Sequence, residues 1–162
     1  MELLKPWQPA GFKLMILDPW ILGMQDNALA TLSATKSAGK SNAIVVNVVA
    51  ASQDGEAWHL NLAQGGLKFK KGTTYRLTFS IKGSKATGLT VGLNQNHEPW
   101  GSLVGGDAQS VTVNADWQEG SYTFKIGVDD ANGSVVFSNF NTAGATFSLA
   151  DISLKEVGAP SK

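Results

Sequence analysis

Residues 75–82 alternate without interruption: Tyr75, Leu77, Phe79 and Ile81 fall at one parity, and Arg76, Thr78, Ser80 and Lys82 at the other. Successive side chains of a strand point to opposite faces, so this run predicts an antiparallel strand with one buried and one polar face. Leu89, Val91 and Leu93 repeat the pattern, with Thr90, Gly92 and Asn94 opposite. Further strand-like runs occupy residues 29–35, 43–50, 57–63, 109–113, 120–126, 134–140 and 146–157. In the run 43–50, Ile44, Val46 and Val48 share one face with Ala50, and Val45, Asn47 and Val49 share the other. Such near-continuous apolarity predicts burial on both faces. Gly65-Gly66 is expected to end the run that starts at Ala57. About nine short strands separated by turn signals, with no convincing helical stripe, predict an all-β chain, a two-sheet antiparallel β-sandwich of jelly-roll type. Arg76, Thr78 and Asn94 are expected to share one sheet's outer face.

Pro6, Pro9 and Pro19 are spaced so that no helix can run through residues 1–28, which read as irregular. Trp7, Phe12 and Trp20 there pin an arm over the core, or one of them lines a binding face. At 162 residues the chain suits a single domain over 1–157, with Gly158-Ala-Pro-Ser-Lys162 as a tail or linker. Thirteen basic residues balance thirteen acidic ones with no run of like charge, which argues against nucleic acid or an anionic membrane surface as partner. The absence of cysteine excludes disulfides, thiolate catalysis and Cys-based zinc sites. No segment approaches the roughly 20 apolar residues of a membrane helix. The opening Met-Glu-Leu-Leu-Lys lacks the features of a signal peptide, which fits either a cytoplasmic protein or a mature or excised domain.

The stretch 57–100 carries a tryptophan near each end, Trp58 beside His59 and Asn61, and Trp100 beside Gln95, His97 and Glu98. Flat aromatic rings flanked by amides and imidazoles suit a sugar ring, with its apolar C–H faces and rim of hydroxyls. Trp58 shares the parity of Leu60 and Leu62, which favours the core, yet it follows a polar loop, which favours exposure. Trp100 belongs to no apolar pattern and reads as a ligand platform, whereas Trp117, just ahead of a strand, reads as core. His59 and Asn61 fall opposite Leu60 and Leu62, on the side left for solvent or sugar, and can both donate and accept. Arg76 offers a guanidinium fork to sugar oxygens or to a nearby carboxylate. Asn139 is assigned to the same polar face.

Enzymatic readings have less support. Glu56, Glu98 and Asp107 lie in loops near the two tryptophans, but none sits in an apolar run that would raise its pKa for acid duty. No G-x-S-x-G nucleophile elbow occurs. His59 and His97 could share a metal ion only with a third ligand that the sequence does not reveal.

The succession Trp58-His-Leu-Asn-Leu-Ala-Gln64, GLKFKKGTTYRLTF over 66–79, VGLNQNHEPW over 91–100, Asp116-Trp117-Gln118 before Tyr122-Thr-Phe124, and Ser148-Leu-Ala-Asp-Ile-Ser-Leu154 resembles carbohydrate-binding modules of families 4 and 9. The likeness covers residues 57–157 and fits more loosely through Gly11-Phe12, Asp18-Pro-Trp20 and 30–33. It implies a jelly-roll sandwich whose concave sheet binds one β-glycan chain (β-glucan, cello-oligosaccharide or xylan) without cleaving it. It further implies attachment to a catalytic glycoside hydrolase domain in a secreted bacterial protein. By the same resemblance Trp58 matches the platform aromatic, Gln95 and Trp100 match the cleft-side loop, and Gln64 and Trp117 match structural positions. Ala150 occupies the slot of an aspartate that helps hold the family's structural calcium, with Asp151 one place later, and Lys13 follows Phe12 where an acid is expected. These departures call that calcium into question, and no cofactor is expected. The rival readings are a small jelly-roll enzyme acting on glycans and a structural or adhesive sandwich domain.

Overall fold

The computed structural model describes residues 13–17, 19–36, 43–104 and 109–157. Eleven strands are present among them: β1 (Lys13–Leu17), β2 (Trp20–Met24), β3 (Leu29–Thr35), β4 (Ala43–Ala50), β5 (Leu60–Phe69), β6 (Thr74–Gly83), β7 (Thr87–Gln95), β8 (Gln109–Val113), β9 (Gln118–Lys125), β10 (Asp130–Ser138) and β11 (Thr146–Glu156). They form two antiparallel sheets, one ordered β1-β2-β5-β10-β7-β8 and the other β3-β4-β11-β6-β9. The chain crosses repeatedly between sheets, so most neighbours in a sheet are distant in sequence. This is a two-sheet antiparallel sandwich of jelly-roll type, as the sequence pattern predicts.

The core is the product of that alternation. Leu60 and Leu62 of β5, Val135 and Phe137 of β10, and Leu89, Val91 and Leu93 of β7 turn inward from the six-stranded sheet, all at most 3% exposed. Leu77, Phe79 and Ile81 of β6 and Phe147 and Leu149 of β11 meet them from the other sheet. Phe137 stands edge-on to Phe79 at 5.1 Å between centroids and 88°, and Trp20 leans on it at 6.1 Å.

Several expectations are corrected here. Residues 13–17 and 20–24 are not irregular but pair as strands at one edge of the six-stranded sheet, with Pro19 at the turn between them. Proline excludes a helix but is tolerated at strand ends and turns. Trp20 is a core residue, 7% exposed; Trp7 and Phe12 lie outside the described residues. β4 is buried on one face only: Val46 and Val48 point inward while Asn47 and Val49 are exposed. Residues 57–59 form a 3-10 turn, and β5 starts at Leu60 and continues through Gly65-Gly66 to Phe69. Gly66, at φ +76°, lies opposite shifts in the β10 register, so the glycine pair makes an irregularity rather than an end. Trp117 is partly exposed rather than core, with Lys82 Nζ 5.0 Å from its ring centroid.

Phe137→Ala is expected to destabilise the protein by about 3–5 kcal/mol, the range for removing a buried aromatic ring. Urea unfolding followed by intrinsic fluorescence measures this, and a loss under about 1 kcal/mol would contradict the packing described.

Candidate functional site

The inward side chains of the six-stranded sheet leave a matching set facing outward. Ser138 of β10 is level with Asn61 of β5 and Thr90 of β7, and Asn61 is level with Gly23 of β2. One step along, Val136 is level with Ala63 and Gly92; beyond it Asn94 is level with Ser134, which is buried and donates from its Oγ to the Asn94 carbonyl at 3.2 Å. Small side chains in adjoining strands leave a shallow floor with polar edges, which an extended ligand can lie against. β5 and β7 both run antiparallel to β10 and therefore parallel to each other. Trp58 lies in the 3-10 turn just before β5 and Trp100 follows the last residues of β7, so they stand at opposite ends of this floor. From the Thr90 level to the Gln95 level is five residues, about 17 Å at the strand rise.

At the first end, Trp58 is 53% exposed. In the 3-10 turn, three residues make one turn, so the parity Trp58 would share with Leu60 in a strand does not apply. Its indole rests against the His59 ring, centroids 4.0 Å apart at 59°. Asn61 Nδ2 donates to the Trp58 carbonyl at 2.7 Å, closing the turn. His59 is only 7% exposed. The expectation that it lies on the side left for solvent or sugar is therefore corrected: its Nδ1–H donates to Asp54 Oδ1 at 2.8 Å, and its ring backs the indole. Asp54 Oδ1 also accepts from the Glu56 N–H, and the Asp54 N–H donates to Asp26 Oδ2 at 2.7 Å. The Glu56 N–H, ahead of the His59 ring, holds the Asp54 carboxyl below its ordinary range. Asn141 ties the same loop down, accepting from the Ser52 N–H and donating to Ser52 Oγ and the Glu56 carbonyl. Asp26, Asp54 and His59 each offer a ligand atom, all within 4.8 Å of one another. Loop hydrogen bonds already engage these groups, which accounts for their approach.

At the second end, Trp100 is 49% exposed and adopts φ +64°, uncommon for a bulky residue. Gln95 Oε1 accepts from the Gly101 N–H at 2.9 Å, and the Gln95 N–H donates to the Gly101 carbonyl at 2.8 Å. Gln95 continues the parity of Leu89, Val91 and Leu93, so an amide takes the place of an apolar side chain at the end of β7 and fastens the loop root. The Trp100 N–H donates to the His97 carbonyl at 2.7 Å. His97 Nδ1 contacts the Glu98 carbonyl at 2.8 Å, and Nε2 contacts Asp130 Oδ2 at 2.7 Å. Asn132 completes the seat, its Oδ1 accepting from the Gly66 N–H and from Asn96 Nδ2.

The remaining expected residues are dispersed. Arg76 is exposed on β6, in the other sheet, lining an open hollow with Thr78, Ser153, Lys155 and Glu156. It therefore shares no face with Asn61 or Asn94, a correction with a simple cause: parity assigns a side chain to a face without saying which sheet owns it. Asn139 lies just past β10 at φ +75°, and its Nδ2 donates to the Gly88 carbonyl at 3.0 Å, at the Trp58 end. Glu56 and Glu98 lie at opposite ends of the floor, too far apart for the roughly 5–9.5 Å separation of a glycosidase pair. His59 and His97 are divided in the same way and cannot share an ion. Asp107 lies outside the described residues. Sequence reasoning passed over Asp54, Asp130, Asn132 and Asn141, the groups that seat the two loops. Asp54-Gly55 and Asn132-Gly133 are turn signals that mark two of them.

Residues 15–143 match the sequence model of CBM_4_9, described as a carbohydrate binding domain. No curated protein matches the sequence. Among solved structures, one titled "CBM4 structure and function" superposes with a TM-score of 0.71 at 21% identity, covering 85% of this chain and 86% of the other. The N-terminal cellulose-binding domain of Cellulomonas fimi β-1,4-glucanase C gives 0.58 at 20% identity, over 79% of this chain and 90% of the other. An arabinose-bound MgGH51 α-L-arabinofuranosidase gives 0.63 at 18% identity, with 86% of this chain matching 23% of that one. At these identities the structural likeness establishes the shared fold.

Asn141→Ala should release the 52–56 loop without disturbing the sheets. Hydrogen exchange is expected to accelerate at Ser52 and Glu56 and to stay unchanged at Val135 and Phe137. Uniform acceleration would show that Asn141 supports the whole fold instead.

Proposed function

The chain belongs to the CBM_4_9 family of carbohydrate binding domains, and from that membership we propose that it binds a single β-glycan chain, a β-glucan, cello-oligosaccharide or xylan, without cleaving it. The observation that carries this reading is the pair of half-exposed indoles, Trp58 and Trp100, standing at the two ends of a small-residue floor on one sheet. Each ring can stack on the C–H face of a sugar, and Asn61, Thr90, Asn94 and Ser138 along the floor offer hydroxyl partners. A glycan reaching both rings has to extend over at least about 17 Å along the strands. The ligand class is therefore oligomeric rather than a monosaccharide.

Exchanging hydration for protein contacts at each hydroxyl adds only about 0.5–1.5 kcal/mol net. Affinities in the millimolar to micromolar range, about −4.1 to −8.2 kcal/mol, follow, with little dependence on salt. The further parts of the reading are a parent protein in which this domain accompanies a catalytic glycoside hydrolase domain, and an extracellular location where polysaccharide is met.

Trp58→Ala is expected to weaken binding of a cello-oligosaccharide by tenfold or more, about 1.4 kcal/mol, with unfolding unchanged. Titration calorimetry reads the loss, and an unaltered isotherm would remove Trp58 from the site. Affinity electrophoresis against soluble β-glucan and xylan distinguishes the rivals. Retardation without release of reducing sugar supports the binding domain, degradation supports an enzyme, and unretarded migration on every polysaccharide contradicts the proposal.

A further inference from the structure

Building on the glycan-binding reading, we infer that His97 is a positioning residue that holds the Trp100 loop only as the imidazolium, so that this arm of the site loosens when the ring loses a proton. The geometry is specific. Nδ1 lies 2.8 Å from the Glu98 carbonyl oxygen and Nε2 lies 2.7 Å from Asp130 Oδ2. A carbonyl oxygen and an ionised carboxylate only accept hydrogen bonds. A neutral imidazole carries one N–H, so it can satisfy one of these contacts and must set a nitrogen lone pair against an oxygen lone pair at the other. Both contacts are favourable together only when both nitrogens are protonated.

Asp130 is a fixed acceptor. Its side chain is 6% exposed, its Oδ1 accepts from the Asn132 N–H at 2.8 Å, and the Gln95 side chain also bonds to it. The Asn132 N–H and the His97 ring hold this carboxyl below its ordinary range. Other charged groups nearby are Glu98 on the loop itself, Asp129, whose Oδ1 accepts from the Lys71 N–H, and Lys68 and Lys70, which flank the Asp130 partner Phe69. The Glu98 carbonyl first, and Asp130 second, hold the His97 ring above the ordinary imidazole value of 6.5.

The consequence for pH follows from the sign. A group whose pKa is raised by folding contributes fully below its unfolded value and loses that contribution as pH rises through the folded value. The clasp is thus closed below the ordinary imidazole range and opens as pH climbs above it. On the acid side, the lowered Asp130 value keeps its contribution above the ordinary carboxylate range and loses it only as pH falls further. Trp100 depends on the clasp because its own N–H donates to the His97 carbonyl while its backbone occupies the left-handed region. The two Gln95–Gly101 bonds do not titrate, so the loop root remains seated and only the tip is released.

The test combines two readings on the full chain between about pH 5 and about 9. In nitrogen-15 NMR, both His97 ring nitrogens should be protonated at the acid end, with a midpoint above 6.5, and the Trp100 indole resonance should move with that midpoint while Trp58 does not. Cellohexaose affinity should fall about fivefold or more across the same midpoint, the lower end of ordinary coupling between sites. His97→Gln should hold affinity at its high-pH level throughout, and Asp130→Asn should move the midpoint down. A His97 midpoint at or below the ordinary value, or a Trp100 resonance indifferent to it, overturns the inference. Failure to bind cellohexaose at any pH overturns the glycan reading instead, and the resonances still decide the clasp.

Discussion

The pairing of β10 between β5 and β7 fixes the arrangement of everything that bears on binding. Phe137 is level with Leu62 on one side and Val91 on the other, and its ring meets Phe79 of the opposite sheet. Because side chains alternate strictly along a strand, slipping any of these three strands by one residue would turn its apolar set to solvent and its small polar set to the core. Burial of Phe137 and its neighbours thereby also determines that Ser138, Asn61 and Thr90 lie in a row outside. The floor of the site is the reverse side of the core.

What the floor lacks is aromatic surface, and the two ends supply it through similar chemistry used differently. Each exposed indole stands beside a histidine bonded to an aspartate, His59 with Asp54 at 2.8 Å and His97 with Asp130 at 2.7 Å. At the Trp58 end the histidine side chain is 9% exposed and the aspartate 50%; at the Trp100 end the histidine is 44% exposed and the aspartate 6%. The buried imidazole serves as a backing for the indole tilted against it. The exposed one serves as a bridge between a buried carboxylate and a loop carbonyl, where its protonation state matters.

Much of the architecture was legible from periodicity. The alternation at Tyr75–Ile81 defines β6, and the runs 29–35, 43–50 and 109–113 coincide with β3, β4 and β8. The failures have particular causes. The prolines near the start argue against helix, and the described residues 13–17 and 20–24 are strands, but prolines at turns say nothing against the short pair β1 and β2. Gly65-Gly66 carries the turn signal of a strand end, yet pairing with β10 on one side draws the chain through it. Strand parity places Trp58 with Leu60, but the 3-10 turn abolishes that parity. The same parity places His59 on the solvent side, whereas the loop bonded to it leaves it buried.

The sequence by itself determined the all-β class, the facing of most strands, the exposed character of the Trp100 loop, and the likeness to a carbohydrate-binding family, because these depend on local alternation, on turn residues and on the order of motifs. Only the tertiary structure decided which sheet each strand joined, and so separated Arg76 from Asn61 and Asn94 while placing Trp58 and Trp100 at opposite ends of one floor. It also decided that Asp130 and Asn132, 33 and 36 residues from His97 and Asn96 in sequence, seat the loop that carries Trp100. Periodicity specifies a direction from the backbone, whereas strand neighbours in a sandwich are chosen by the burial of both sheets together, a condition no single segment contains.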